Sequence, residues 1–185
     1  MKRILTTFFF LYFLLPPNFA QEVSSPLTSM WTFNLVPFGS SIVGEFPIST
    51  KSTIRTEFGG IFTISGGEVS YTNIDIGLGF SLYGNIYYRY YHLFKKPTAP
   101  SKYLYNSGNF FFAQALYYAP PLWENEKFSF DSRTSMGVGY GLQRVLKNRF
   151  VFSIDLGLGY YLPQKNVFFI GNLTFGILLK PSKAK

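Results

Sequence analysis

Residues 150–162 read FVFSIDLGLGYYL, and the alternation along this stretch decides the fold class. The even positions carry large apolar or aromatic side chains, whereas the odd positions include a serine, an aspartate and two glycines. A period of two residues is typical of a β-strand with one apolar face and one small or polar face. The stretch therefore predicts a long strand whose two faces meet different surroundings.

The same alternation recurs in residues 53–64, 71–82 and 167–179. These stretches have about 11–13 residues each, whereas strands of globular proteins cluster near 5–6. A tilted strand that crosses a membrane needs roughly 9–11 residues. Small residues on one face suit a narrow lumen, and large apolar residues on the other face suit lipid. We therefore expect an all-β protein that forms an antiparallel, up-and-down transmembrane β-barrel.

Turn signals divide the chain into nine candidate strands. They are residues 30–38, 41–48, 53–64, 71–83, 86–94, 110–119, 128–145, 150–162 and 166–179. Bacterial single-chain barrels have an even number of strands. Proline removes a donor from the ladder and belongs at edges or bulges, so residues 30–48 are interpreted as one strand interrupted at residues 37–40. The prediction is therefore an eight-stranded barrel.

The first 20 residues have the three parts of a secretory signal peptide. Lys2 and Arg3 precede an apolar run, and two prolines break that run before Ala20. The run is too short for a membrane helix, which needs about 20 apolar residues, so we expect a cleaved leader. The predicted organisation is a signal peptide (1–20), an N-terminal periplasmic extension (21–29), an outer-membrane barrel (30–180) and a basic tail (181–185).

Composition excludes several classes of protein. The chain has 185 residues, a formal net charge of +8 and no cysteine, which excludes disulfide scaffolds, cysteine-ligated zinc, thiol catalysis and an acylated lipoprotein anchor. Aromatic residues make up 21% and charged residues only 14%, the opposite of the composition of a disordered chain. Gly-x-Gly elements lie inside predicted strands, so they do not indicate a dinucleotide site.

Several short motifs resemble those of a known group of proteins. Asn34-Leu35 is followed by Gly44-Glu45, and residues 87–91 read YYRYY. Residues 141–144 read GLQR and lead through an aspartate to residues 157–160, which read GLGY. In these features the chain resembles uncharacterised members of the small outer-membrane β-barrel proteins of Gram-negative bacteria. The resemblance implies a location in the outer membrane and no particular activity.

Charged residues within the strands are few, and alternation assigns them to one side. Arg55 and Glu57 are two residues apart and therefore share a face. An arginine that faced lipid at the midplane would cost about 2–4 kcal/mol, so this face must be the lumen. We expect a lumenal network in which Arg55 pairs with Glu57 or with the cross-strand residue Glu45, and which Arg89 or Arg144 could also join. Its acidic members are Glu45, Glu57, Asp75 and Asp155. Structural filling of a narrow barrel is the favoured interpretation, and a proton- or ligand-binding cluster is the alternative.

Tyrosines near the predicted strand ends suggest an aromatic girdle at the membrane interfaces. They are Tyr87, Tyr88, Tyr90, Tyr91, Tyr117, Tyr118, Tyr160 and Tyr161. A carbohydrate-stacking surface is the alternative interpretation of the same residues.

The sequence contains few candidate catalytic or metal-ligating residues. His92 is the single histidine, and no serine partner is recognisable near it in the sequence. We interpret His92 as an interfacial side chain and predict no enzyme, no cofactor and no metal site, because a transition-metal site needs several ligands. A lipid-modifying outer-membrane enzyme that uses His92 remains the alternative.

The long polar break at residues 95–109 carries Lys95, Lys96 and Lys102 among tyrosines. In an exported barrel these lysines favour anionic lipid headgroups over nucleic acid. We expect a monomer in contact with membrane lipids, with an additional protein or glycan partner at the loops left open. The predicted role is structural or interactive. A diffusion pore is disfavoured, since eight strands enclose just enough room for side chains. An exported soluble β-barrel that binds a small apolar ligand is a further alternative.

Overall fold

The computed structural model describes residues 27–70, 73–94, 106–125, 132–146, 149–162 and 165–181. Within these ranges the chain is all-β, and no helix there is long and apolar enough to cross a membrane. The strands are β1 (Met30–Val36), β2 (Gly39–Pro47), β3 (Ser52–Ser70), β4 (Asn73–Phe94), β5 (Gly108–Tyr118), β6 (Trp123–Glu124), β7 (Arg133–Leu146), β8 (Phe150–Tyr161) and β9 (Asn166–Pro181). The predicted leader and most of the predicted tail lie outside the described residues.

Eight long strands form a closed antiparallel ring. Each strand pairs with its neighbour along the chain, apart from β6, and the pairing of β1 with β9 closes the ring. The two-residue strand β6 pairs only with Gly79 and Phe80 of β4, outside the ring. The prediction of an eight-stranded, up-and-down antiparallel barrel is confirmed.

The prediction that residues 30–48 form one interrupted strand is wrong, because they form two strands. β1 and β2 make a hairpin in which Val36 lies opposite Gly39, so that only Pro37 and Phe38 form the turn. Proline fixes the backbone for the first turn position, and the second requires a positive φ, which usually selects glycine or asparagine. Here Phe38 adopts a φ of 66°, and a phenylalanine gives no sequence signal for such a turn.

The predicted break between residues 71–83 and 86–94 is also wrong. Gly84 and Asn85 resemble a hairpin turn in sequence, but they lie in the middle of β4. Gly84 pairs with Phe58 of β3 on one side and with Tyr117 of β5 on the other. Residues 30–48 form two strands where one was predicted, and β4 is one strand where two were predicted. The two errors cancel, so the total remains eight.

The two ends of the barrel differ. Both ends of the described chain, at residues 27 and 181, lie at one end, here called the terminal mouth, together with the connection that follows β4. β4 ends and β5 begins at the terminal mouth, and most of the predicted loop over residues 95–109 lies outside the described residues. The opposite end, called the distal mouth, carries the Pro37 turn. There the β3–β4 hairpin continues beyond the Pro37 turn, since Gly39 pairs with Ile61 and β3 runs on to Ser70.

Side chains alternate strictly between the lumen and the outer wall. Along β1 the pattern is buried then exposed, so Thr32 and Asn34 face inward whereas Phe33 and Leu35 face outward. The same alternation makes Phe58 of β3 62% exposed between buried neighbours. The outer wall is therefore apolar on every long strand, and the polar side chains lie inside.

Glycines on β7 and β8 make room for large lumenal side chains from the neighbouring strands. A Cβ atom on Gly141 would lie 2.5 Å from the ring of Phe110 and 2.6 Å from Oδ1 of Asp155. A Cβ atom on Gly139 would lie 2.6 Å from the ring of Phe112. These distances are far below van der Waals contact, so the aromatic rings occupy the volume that the glycines leave free.

Candidate functional site: the lumen of the barrel

Among the described residues, five charged side chains lie in the lumen with almost no contact with solvent. They are Glu45, Arg55, Glu57, Arg89 and Asp155, each exposed by 5% or less. Four of them belong to the network predicted from the sequence, and Arg89 was named there as a residue that could join it. The side chain of Asp75, the fifth predicted member, lies outside the described part of the structure. Buried charges are tolerated only when they are paired and hydrogen-bonded, so their partners determine the chemistry of the site.

The first cluster is built around Glu57 on β3. Nη2 of Arg55 lies 2.9 Å from Oε2 of Glu57, as expected for residues two apart on one face. The other carboxylate oxygen accepts hydrogen bonds from the hydroxyl groups of Ser41, at 2.7 Å, and Tyr83, at 2.8 Å. Glu57 is thus neutralised by one arginine and receives three donors.

The second cluster is built around Arg89 on β4, which lies between two acids. Its guanidinium approaches Glu45 at 3.6 Å and Asp155 at 3.4 Å, and it donates to Oε1 of Gln143 at 2.9 Å. Glu45 also accepts hydrogen bonds from Thr53, Tyr91 and Gln143. Ser153 donates to the other oxygen of Asp155. The cluster joins strands that are not neighbours in the ring and so ties the barrel together across its interior.

The predicted partner of Glu45 is different from the one observed. Glu45 lies directly opposite Arg55 in the register of β2 and β3, but its carboxylate turns towards Arg89. Arg55 instead uses Glu57, the other partner that the sequence allowed. Aromatic rings separate the two arginines, since both guanidinium groups lie 5.2 Å from the centre of the Tyr87 ring. The face of an aromatic ring attracts a guanidinium group electrostatically, so Tyr87 helps to stabilise both buried arginines.

The terminal mouth is closed by segments that precede β1 and β5. The backbone N–H of Thr28 donates to Oδ1 of Asn106, and Nδ2 of Asn106 donates back to the carbonyl oxygen of Thr28. Gln143 donates to the carbonyl oxygen of Asn106 and so links this closure to the Arg89 cluster. Leu27 packs into the lumenal apolar cluster with Tyr91. The end of the predicted periplasmic extension therefore belongs to the barrel interior.

The distal half of the lumen is open and forms a vestibule of about 350 Å³. Glu57 and Tyr87 lie at its inner end, and Val36 and Pro37 lie at its rim. Its side walls carry three amides, Asn85, Gln114 and Asn172, and a group of aromatic rings. The rings come from Tyr83, Tyr118, Tyr161 and Phe168.

The predicted tyrosine girdle contains only half of the residues assigned to it. Tyr88 and Tyr90 are exposed on the outer wall near the terminal mouth, and Tyr117 and Tyr160 are exposed near the distal mouth. The other four tyrosines of that set face the lumen and cannot contact lipid. They are Tyr87, Tyr91, Tyr118 and Tyr161. The reason is the period of two, because adjacent tyrosines in a strand must point to opposite faces.

His92 lies next to the outward ladder of β4, apart from the lumenal acids. Its ring lies 4.9 Å from Phe111 and 5.4 Å from Tyr140, measured between centroids. Its Nδ1 atom is buried without a hydrogen-bond partner. Arg144, also named as a candidate for the lumen, instead donates to Oδ1 of Asn109 near the terminal mouth.

Metal ligands do not cluster in the described ranges, where no group of three histidine or acidic residues is arranged to hold an ion. The lysines at 95, 96 and 102 lie outside those ranges. No family model, no curated protein and no solved structure matches the chain.

Proposed function

We propose that the protein is a small outer-membrane β-barrel with a structural or interaction role. The observation that carries this proposal is the inverted polarity of the barrel: large apolar side chains cover the outside, whereas the charged groups described above lie within. Val138 and Leu158, which pair across β7 and β8, are 63% and 60% exposed. A typical monomer in water has no apolar patch larger than about 300–600 Å², and this band encircles the whole barrel.

Dimensions support the same proposal. β5 has 11 residues, β8 has 12 and β7 has 14, and a tilted strand needs roughly 9–11 residues to cross the hydrocarbon layer. Outward tyrosines lie near both mouths, where an aromatic girdle is expected. The resemblance of the sequence to small outer-membrane barrels adds to this, as does the leader predicted for residues 1–20.

The interior argues against the competing functions. A soluble carrier of small apolar ligands needs an apolar lumen, and this lumen contains two clusters of ion pairs. A diffusion pore needs a continuous channel, and the Thr28–Asn106 closure and the Arg89 cluster occupy the terminal half. A lipid-modifying enzyme needs a nucleophile and an acid near His92, and the described neighbours of that residue are aromatic.

Fractionation of cells that express the full chain tests the proposal. We expect the protein in the outer-membrane fraction, and we expect the unboiled sample to migrate differently from the boiled sample on a gel, because a closed barrel resists detergent until it is heated. Recovery as a soluble periplasmic monomer would contradict the proposal. In planar bilayers the purified protein should give no stable, large conductance.

A further inference from the structure

Two of the three amides that line the distal vestibule, Asn85 and Gln114, have no hydrogen-bond partner on their carbonyl oxygens. Oδ1 of Asn85 and Oε1 of Gln114 are both buried and unpaired, and the two side chains are only 6% and 8% exposed. Leaving a buried acceptor unpaired costs about 1–3 kcal/mol, and both residues line the same vestibule, so a ligand whose donors reach these amides would supply the partners they lack. Oδ1 of Asn34 is also buried and unpaired, but Asn34 does not line the vestibule.

Register fixes the spacing of these amides. Asn85 of β4 pairs with Leu116 of β5, and Gln114 pairs with Tyr87, so the two amides are diagonal neighbours on one wall. Diagonal neighbours in an antiparallel pair are about 7–8 Å apart. A ring that carries hydroxyl groups at separate positions can donate to one amide and accept from the other across this distance.

Aromatic rings form the wall on β8 and β9. Tyr161 and Phe168 are stacked with their ring centres 4.2 Å apart and an angle of 23° between their planes. Tyr83 and Tyr118 form a second pair, with ring centres 5.8 Å apart. Aromatic faces and amides together are suited to a ligand with apolar C–H faces and polar edges.

Charge decides between a neutral ligand and a cation. Glu57 is the one acid among the described lining residues, and it already receives Arg55, Ser41 and Tyr83. Arg133 lies 5.9 Å from the centre of the Tyr161 ring and adds positive charge to the rim. A cation would therefore find a carboxylate that is already paired, with the positive charges of Arg55 and Arg133 just behind the lining residues, which disfavours it.

We propose that the vestibule binds a neutral, hydroxyl-rich ring of the size of a mono- or disaccharide. Asn85 and Gln114 bind its hydroxyl groups, and the Tyr161–Phe168 wall stacks against its C–H face. The volume of about 350 Å³ lies at the lower end of the range for ligand pockets, about 300–1,000 Å³. This site goes beyond the proposed function and does not depend on whether lipid surrounds the barrel.

Saturation-transfer NMR on the full chain, purified in a zwitterionic detergent without a sugar headgroup, tests this proposal. The probe is methyl β-D-glucopyranoside, with tetramethylammonium and benzene as competing ligand classes. We expect titratable transfer to the ring protons of the glycoside. Asn85→Leu and Gln114→Met, which keep the shape of each side chain, should each weaken binding about three- to tenfold. Thr174→Val is the matched control, because Thr174 has a buried, unpaired hydroxyl but does not line the vestibule.

Each variant must keep the gel migration of the folded barrel, so that a loss of binding reports on the vestibule and not on folding. Absence of titratable transfer from the glycoside would overturn the proposal, and so would equal binding by the wild type and both amide variants. Stronger binding of tetramethylammonium would assign the vestibule to cations, and stronger binding of benzene would assign it to apolar ligands. Either result would also overturn the proposal.

Discussion

Replacing Arg89 with methionine tests whether the lumenal charges hold the barrel together. Arg89 is fully buried and lies between Glu45 and Asp155, at 3.6 Å and 3.4 Å. Its removal leaves two carboxylates in the interior without the arginine that pairs with both of them. Breaking a buried ion pair by removing one partner costs about 3–5 kcal/mol, and we expect Arg89→Met to lower the free energy of unfolding by that amount.

Urea unfolding in lipid vesicles, followed by tryptophan fluorescence, gives the measurement. Neutralising both acids in the same chain, with Glu45→Gln and Asp155→Asn, should recover most of the loss, since no charge then remains unpaired. Arg149→Met is the control, because Arg149 is exposed in the turn before β8 and its loss should cost no more than about 0.5 kcal/mol. If Arg89→Met matched this control, or if the triple variant were less stable than Arg89→Met alone, the account of the lumen would be wrong.

Three further predictions concern packing, closure and catalysis. Gly141→Val should destabilise the barrel by about 1–3 kcal/mol in the same assay, because the valine side chain would clash with the Phe110 ring. Gly84→Val is the control and should change the stability little, because no atom lies within 4 Å of the Cβ position at residue 84. Asn106→Ala should speed hydrogen exchange at the N–H of Thr28, since it removes the acceptor, and unchanged exchange would contradict the closure of the terminal mouth. His92→Ala should leave the lipid profile of the host unchanged, and loss of a lipid modification would indicate an enzyme instead.

Alternation, together with the cost of a charge in lipid, predicts which face of β3 and of β8 is lumenal. Arg55 and Glu57 are two apart, so they share a face wherever the strand lies, and the cost of a charge in lipid chooses the inner one. Asp155 lies inside for the same reason. Alternation would also have divided the tyrosines correctly, because a run such as Tyr87-Tyr88 cannot face one side only. The girdle prediction was wrong for four tyrosines because proximity to a strand end does not determine which face of the sheet a residue occupies.

Contacts across the lumen could not be predicted from the sequence. Glu45, Arg89 and Asp155 lie on β2, β4 and β8, and they meet only because the ring closes. The register of β2 and β3 predicts Arg55 as the ion-pair partner of Glu45. In the closed barrel, Glu45 instead pairs with Arg89 from across the lumen. The open vestibule was missed for a related reason, since the size of a lumen depends on how side chains from all eight strands interdigitate.

The turn errors have a local cause. Hairpin signals in sequence rest on glycine and asparagine, which tolerate a positive φ. Phe38 occupies such a position without this signal, and Gly84-Asn85 carries the signal within a continuous strand. Pairing on both sides of β4 outweighs the local preference of that dipeptide.

Single-cysteine labelling tests most directly whether lipid surrounds the barrel. The chain has no cysteine, so a spin label can be placed at Val138 or Leu158 on the outer wall, with Ile48 in the exposed β2–β3 turn as the reference for water. In bilayers, the account predicts that labels at 138 and 158 collide readily with oxygen and rarely with a water-soluble nickel chelate, whereas the label at 48 behaves in the opposite way. Equal access of the chelate to all three positions would show that the apolar wall faces water and would contradict the membrane barrel.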